Sequence, residues 1–361
     1  MNRLKRTASG PRLVALVALG IAIVAAVRLL AVSDWDPTAF AAFGETTVEI
    51  TSFAEERLDR EVITRDSKGH DGRFFFVQAN DPLILAPEST AAILDRPIYR
   101  SQRMFYPLMA GGGGLFPPAV LIWALIVVNV VGLAIGSWAV GMIATHHGSS
   151  PWWGLAFVLN GGLLSELYID GAGILAFAAA AVGALALERG KARLAGVAFV
   201  VAALTREVML GFVALIVVFW LMRKKVIPWV FAIPAGLAVL GWGLYVRWRI
   251  DVPVGQLQVR EITLVPFSGL VEAATSGNAL LADYLMMFVF VLLIVLVTLR
   301  AFKSTVYLTW GAVGFAVLAP FLTVLVWQKS FDISRALAPL VTVTLLEFAL
   351  SRRRRSKEAA P

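Results

Sequence analysis

Apolar residues run in long blocks separated by short polar ones from Leu13 to Leu350. A helix needs about 20 apolar residues to cross a bilayer. On that measure the blocks place spans near 13–32, 116–145, 151–165, 171–187, 194–205, 208–222, 226–247, 281–299, 305–327 and 336–350. Several middle blocks are short, so two of the ten could be re-entrant or wrongly divided. The pattern predicts an all-α polytopic protein, one integral membrane domain over 1–361 with a basic tail at 351–361. One long polar stretch, 33–115, interrupts the apolar blocks. Within it Phe53–Ile63 alternates charged and apolar residues and Phe74–Val77 is aromatic, which predicts two short helices lying in the membrane interface. Gly111–Gly114 reads as a joint leading to Pro117 and Pro118, where the second span starts. The absence of an internal repeat argues against an inverted-repeat transporter.

Composition supports this picture: 59% of residues are hydrophobic, 16% are charged, and the mean hydropathy is +0.78. Soluble domains carry about 25% charged residues. The net charge of +8 is dispersed in clusters beside apolar blocks, which marks topology signals rather than a nucleic-acid surface. With a cytoplasmic N-terminus, 17 of the 32 lysines and arginines fall on the cytoplasmic side, and all but three of the 24 acids (Glu188, Glu347 and Glu358) fall on the other. Both termini are then cytoplasmic, and 33–115 is the large extracytoplasmic loop of a plasma-membrane protein. The first block follows Arg3, Lys5, Arg6 and Arg12 like the opening of a signal peptide. It is long for one and shows no cleavage pattern, so it reads as an uncleaved span. No cysteine is present, which excludes disulfides, zinc–thiolate centres and thiol nucleophiles.

The chemistry-bearing residues cluster on the predicted outer side. Asp71, in G-H-D-G among the aromatics Phe74–Phe76, reads as a general base of raised pKa or as a turn residue. Arg96, Tyr99, Arg100, Arg103 and Tyr106, with Asp81 and Asp95 nearby, could bind a phosphate or form an interfacial belt. Glu166 and Asp170 stand four apart at the end of a span, Arg206 and Glu207 sit between two apolar blocks, and Asp332 and Arg335 precede the last span. Ionisable residues at such depth face a partner or a water-filled cavity, so these groups predict one polar cavity opening outward. His146 and His147 read as the end of a loop. His70 beside Asp71 lacks the spacing of a metal site, so no metal is expected.

The runs D-G-R-F-F-F-x-x-A-x-D-P, Y-R-x-Q-R-x-x-Y-P and L-T-R-E, within 69–210, resemble a bacterial family of multispanning proteins associated with cell-surface glycopolymer formation. That family is similar in layout to the GT-C glycosyltransferases. It typically shows D-G-Q-F-Y-Y, Y-R-x-Q-R-I-x-Y-P and T-R-E, with a T-E-P-like sequence where this chain has S-E-L-Y-I-D. The resemblance implies hexosyl or pentosyl transfer from a polyprenyl-phosphate sugar to a glycan or lipid acceptor, without a nucleotide-binding domain. It assigns the catalytic base to Asp71, with Asp34 and Asp36 as competitors, and phosphate binding to Arg100, Arg103, Arg206 and Arg335. Arg73 replaces the family's Gln, and Phe75 and Phe76 replace a Tyr pair, which would remove hydroxyls that touch a sugar. A lipid-glycan transporter and a non-catalytic assembly component are the competing expectations.

Overall fold

The computed structural model describes residues 2–112, 114–251 and 261–358. The side chains of Arg3, Lys5 and Arg6 and of the tail beyond Ser351, Gly113 of the glycine joint, and residues 252–260 lie outside that description. The chain is 74% helical. A two-residue parallel pairing of Phe43–Gly44 with Thr64–Arg65 forms the one sheet among the described residues.

Four helices are long and apolar enough to cross a membrane: Gly10–Val32, Pro118–His146, Trp229–Arg249 and Leu281–Ala301. A fifth span arises if Ser330–Ala336 and Ala338–Ser351, bent by 63° at their junction, are one broken span. A 21-residue helix is about 31 Å long, the thickness of a bilayer's apolar core. The other predicted spans are shorter pieces. Gly173–Glu188 has 16 residues and Ala192–Thr205 has 14, so each reaches only about 21–24 Å. The 151–165 block is divided by Asn160, whose side chain accepts the Gly162 N–H and starts a new helix at Gly161.

The outer surface of these helices is apolar. On Leu281–Ala301, the residues Leu285, Phe288, Leu292, Val295 and Leu299 recur at helical spacing and are between 47% and 69% exposed. A stripe of that length on the outside of a bundle needs a partner other than water. This is consistent with a polytopic helical membrane protein. Inside, the Ala-rich helix Gly173–Glu188 is almost wholly buried. Small residues let its neighbours approach closely. Contacts sort the helix ends into two groups. At one end Glu166 meets Arg206 and Arg335, and at the other Glu188, next to Arg189–Arg193, meets His147 and Tyr307, whose ring packs on Phe219 beneath Arg223.

The 33–115 stretch folds over the first of these ends with its own core. Phe74, Phe75, Phe76 and Val77 lie on helix Gly72–Asn80 and are buried against Tyr106, Leu121 and Leu125. Ile50 and Ala54 of helix Val48–Leu58 join the same cluster. Both predicted helices exist, the first shifted toward the N-terminus, and both pack against protein. Burying three phenylalanines gives this lobe a core of its own.

Candidate functional site

G-H-D-G is held by its two glycines. Gly69 has φ +71°, a conformation open to glycine. A Cβ on Gly72 would stand 2.4 Å from the Ile169 carbonyl oxygen. The His70 N–H donates to Ala42 O at 3.0 Å. This clamp presents Asp71 at the start of helix Gly72–Asn80, facing a cavity of about 230 Å³.

Arginines from two distant segments meet Asp71, and one from a third joins them through Glu166. Arg100 ends the short helix Pro97–Arg100, and the following turn returns Arg103 to the same side. Arg100 reaches Asp71 at 3.2 Å and Arg103 approaches at 4.0 Å. Arg335, delivered by the short helix before the 63° bend, holds Asp71 at 3.1 Å and Glu166 at 3.0 Å. Arg206 follows the last residue of helix Ala192–Thr205 in extended backbone and stands 3.6 Å from Glu166. The next residue, Glu207, turns the other way and pairs with Arg103 at 3.1 Å. Asp332 pairs with Arg335 at 3.2 Å, Asp95 with Arg100 at 2.9 Å, and Arg96 with Glu261 at 2.8 Å. Arg96, Arg100, Arg103, Arg206 and Arg335 thus form one ion-pair network with six carboxylates, and Asp71 is its hub.

Aromatic faces hold the guanidiniums in place. Arg100 lies 3.8 Å over Phe74, and Arg103 lies 5.0 Å over Tyr99 while donating to its hydroxyl at 2.6 Å. Arg73 is buried on the cavity wall, 4.4 Å over Phe74, and donates to Thr47 Oγ1 at 3.3 Å. Burial, with Arg100 beside it, draws its pKa down to about 10.

The electrostatics overturn one expectation. Burial alone would raise the Asp71 carboxyl, but Arg335, Arg100 and Arg103 outweigh it and hold it well below the ordinary carboxylate range. Asp71 in the free protein is an ionised anchor rather than a raised-pKa base. Burial likewise lowers His70, reinforced by Arg335 and Arg65, so the ring on the cavity wall is neutral at pH 7.

Asp71, Arg73, Tyr99, Arg100, Arg103, Arg206, Asp332 and Arg335 line the cavity as a group. Glu207 lines a smaller chamber of about 80 Å³ beside it, which shares Tyr99, Arg103, Arg206 and Glu261 and is otherwise walled by apolar residues such as Ile262, Phe315 and Leu322. Glu166, 1% exposed, sits behind the wall. It holds Arg335 and Arg206 and accepts the Gly173 N–H at 2.9 Å.

Three expected site residues lie elsewhere. Asp81 accepts the N–H groups of Leu85 and Ala86, each at 2.7 Å, and shapes its own loop. Tyr106 is fully buried in the second core, donating to Leu125 O at 3.0 Å and accepting from Asn129 at 2.7 Å. Asp170 is fully buried beside Tyr106 and Asn129, whose donors point to Leu125 O and to the Tyr106 hydroxyl instead. Burial raises its carboxyl well above the ordinary range, so it is a neutral acid. The competitor Asp36 is taken by Arg60 at 3.1 Å. Phe75 packs edge-on against Tyr106 and Phe76 against Phe43, so the missing Tyr hydroxyls would have met the core and no bound sugar.

Glu261 and Val326 line the cavity without having been anticipated. Each is a lone residue in a segment without a motif, and only packing brings it there. Comparison with protein-family models, with curated proteins and with solved structures finds no match for this chain.

Proposed function

We propose that this protein is a GT-C-type glycosyltransferase, using a polyprenyl-phosphate sugar on the outer face of the plasma membrane. One observation carries the reading: the arginine network around Asp71 lines a polar cavity, and beside it, sharing Arg103 and Arg206, lies a second chamber with a largely apolar far wall. A phosphate on a prenyl chain has that same division between an anionic head and an apolar tail. Guanidiniums recognise phosphate by paired, charge-assisted hydrogen bonds. The helix ends support the orientation, since the basic clusters lie at the opposite end of the bundle, where the positive-inside rule puts the cytoplasm. The shorter apolar segments then complete ten crossings as a bundle with one thin, mostly buried centre.

In the reaction, the acceptor hydroxyl oxygen forms a bond to the anomeric carbon while the bond from that carbon to the phosphate oxygen breaks. The phosphate leaves with the electron pair, and the proton passes from the hydroxyl to the Asp71 carboxylate. Arg100, Arg103 and Arg335 stabilise the charge on the departing phosphate, an interaction worth roughly 2.7–4 kcal/mol per donor in comparable sites. Because the donor phosphate competes with Asp71 for these guanidiniums, its binding returns basicity to the carboxylate at the moment it is needed. Glu166 positions Arg335 and Arg206.

The strong pairing of Asp71 in the free protein favours a second reading, a non-catalytic carrier or assembly component for lipid-linked glycans. A transfer assay separates the two. Purified protein in lipid is given polyprenyl-phosphate sugars, in wild type and Asp71→Asn. Transfer or donor hydrolysis in wild type alone supports the enzyme. Saturable donor binding with no turnover in either form supports the carrier, and no binding at all refutes both.

A further inference from the structure

At the end of the bundle away from the arginine cavity, helix Pro118–His146 finishes beside the end of helix Gly173–Glu188. The 21 residues from Leu125, which touches Tyr106, to His146 span about 32 Å of helix, so this end is a separate locality. Glu188 is buried here, with its side chain 6% exposed. Its Oε1 accepts the Tyr307 N–H at 3.0 Å, which turns Oε2 toward two imidazoles. His147 Nε2 stands 3.3 Å from Oε2 and His146 Nε2 stands 3.9 Å from it. All three donor atoms lie within 4.8 Å of one another.

Neighbouring histidines on a regular helix point about 100° apart and do not converge. Here His146 is the last helical residue and His147 leaves the helix with φ −84° and ψ 9°, which brings the rings to 5.2 Å between centroids. His147 Nε2 is itself buried and makes no hydrogen bond among the described residues. A buried carboxylate oxygen and two imidazole nitrogens thus converge on one point, and buried charges are paired or coordinate metals.

We propose that His146, His147 and Glu188 form a divalent transition-metal site of the zinc class. Two imidazole nitrogens and one carboxylate oxygen are an established ligand set for such ions, and carboxylate and calcium-type sites would not recruit imidazole. Tetrahedral bonds of about 2.0–2.2 Å place ligand atoms about 3.3–3.6 Å apart. The His147–Glu188 pair already has that spacing. Only His146 must swing inward, and its half-exposed ring, at the last turn of a helix, has room to do so. The Tyr307 N–H fixes the carboxylate from behind, as outer partners of metal ligands do. The fourth position faces solvent beside His146. Bound there, the ion ties together the ends of Pro118–His146 and Gly173–Glu188 and the start of Tyr307–Leu318.

The test uses full-length protein in detergent, purified on a tag without histidines and stripped of metal. Zn²⁺ is titrated at pH 7.5 by calorimetry, and Co²⁺ is titrated in parallel for its ligand-field absorption. One ion per chain at micromolar affinity or tighter is expected, with a four- or five-coordinate cobalt spectrum and a rise in Tm on binding. His147→Ala and Glu188→Gln each weaken binding by at least about tenfold. His146→Ala changes an exposed ring, keeps the fold, and must also weaken it. Failure of wild type to bind Zn²⁺ stoichiometrically overturns the proposal. Affinity unchanged in His146→Ala overturns it too, as does a Tm that depends on pH through His147 but not on Zn²⁺, the signature of a plain imidazolium–carboxylate pair.

Discussion

Replacing Asp71 by Asn is expected to tighten donor binding while abolishing transfer. The carboxylate now occupies Arg335 at 3.1 Å and Arg100 at 3.2 Å, so an incoming phosphate faces both an occupied guanidinium pair and a like charge. Two unit charges sharing one guanidinium sit about 6 Å apart and repel by roughly 3 kcal/mol at an effective dielectric of 20. That energy corresponds to about a hundredfold in affinity. The Asp71 side chain is 28% exposed, so solvent screening trims the gain, and about tenfold is the working expectation. The amide keeps the size of the side chain but neither repels phosphate nor accepts a proton, so turnover should fall by about 10²–10⁴-fold. Binding of polyprenyl phosphate to protein in nanodiscs, at low salt and at high salt, measures the first quantity. Product formation under saturating donor measures the second. Weaker phosphate binding in Asp71→Asn would refute the competition between donor and carboxylate, and undiminished turnover would remove Asp71 as the base.

Other outcomes follow from the same geometry. Glu166→Gln leaves Arg335 and Arg206 beside a buried neutral amide and should cost about 3–5 kcal/mol of stability, seen as a lower Tm in detergent. A loss below about 1 kcal/mol would mean the arginines re-pair elsewhere. Tyr106→Phe strands the buried Asn129 amide and should cost about 1–3 kcal/mol, with donor affinity unchanged because Tyr106 does not line the cavity. The His70 pKa is lowered in the folded protein, so the unfolded chain binds a proton first. Stability should fall as pH drops below about 6.5 and level off below the folded pKa, and His70→Gln should flatten that segment of a Tm–pH curve. Asp71 acts in the same direction in a lower window: its lowered pKa contributes stability that is complete above pH 4–5 and is lost as pH falls further.

The apolar blocks and the grouping of acids with arginines were legible because both are written in residue type. Leu, Val and Ala in runs with so few charges leave a helix in a nonpolar surrounding as their one way to satisfy the backbone. Arg206 and Arg335 stand out as charges too costly to leave alone near apolar segments, and Arg100 and Arg103 as guanidiniums grouped to bind phosphate. The same reading placed Tyr106 and Asp170 with them, since a Tyr or Asp next to a motif looks alike whether it faces a cavity or a core. Helix phase decides that, and the phase of Phe105–Gly111 turns Tyr106 inward against Leu125.

By itself, then, the sequence determined that helices form, that their outer faces are apolar, and which residues are candidates for polar chemistry. Tertiary structure decided how many helices are long enough to span, since Asn160 and Leu337 break segments that hydropathy alone joins or divides. It also decided the state of Asp71. A carboxylate among phenylalanines reads as a raised pKa, but Arg335 lies 264 residues away, and its approach to 3.1 Å reverses the sign. The same holds for the His146–His147 pair and Glu188, which belong to different helices that end together. Electrostatic energies depend on distance in space, and that distance is set by packing that no local pattern encodes.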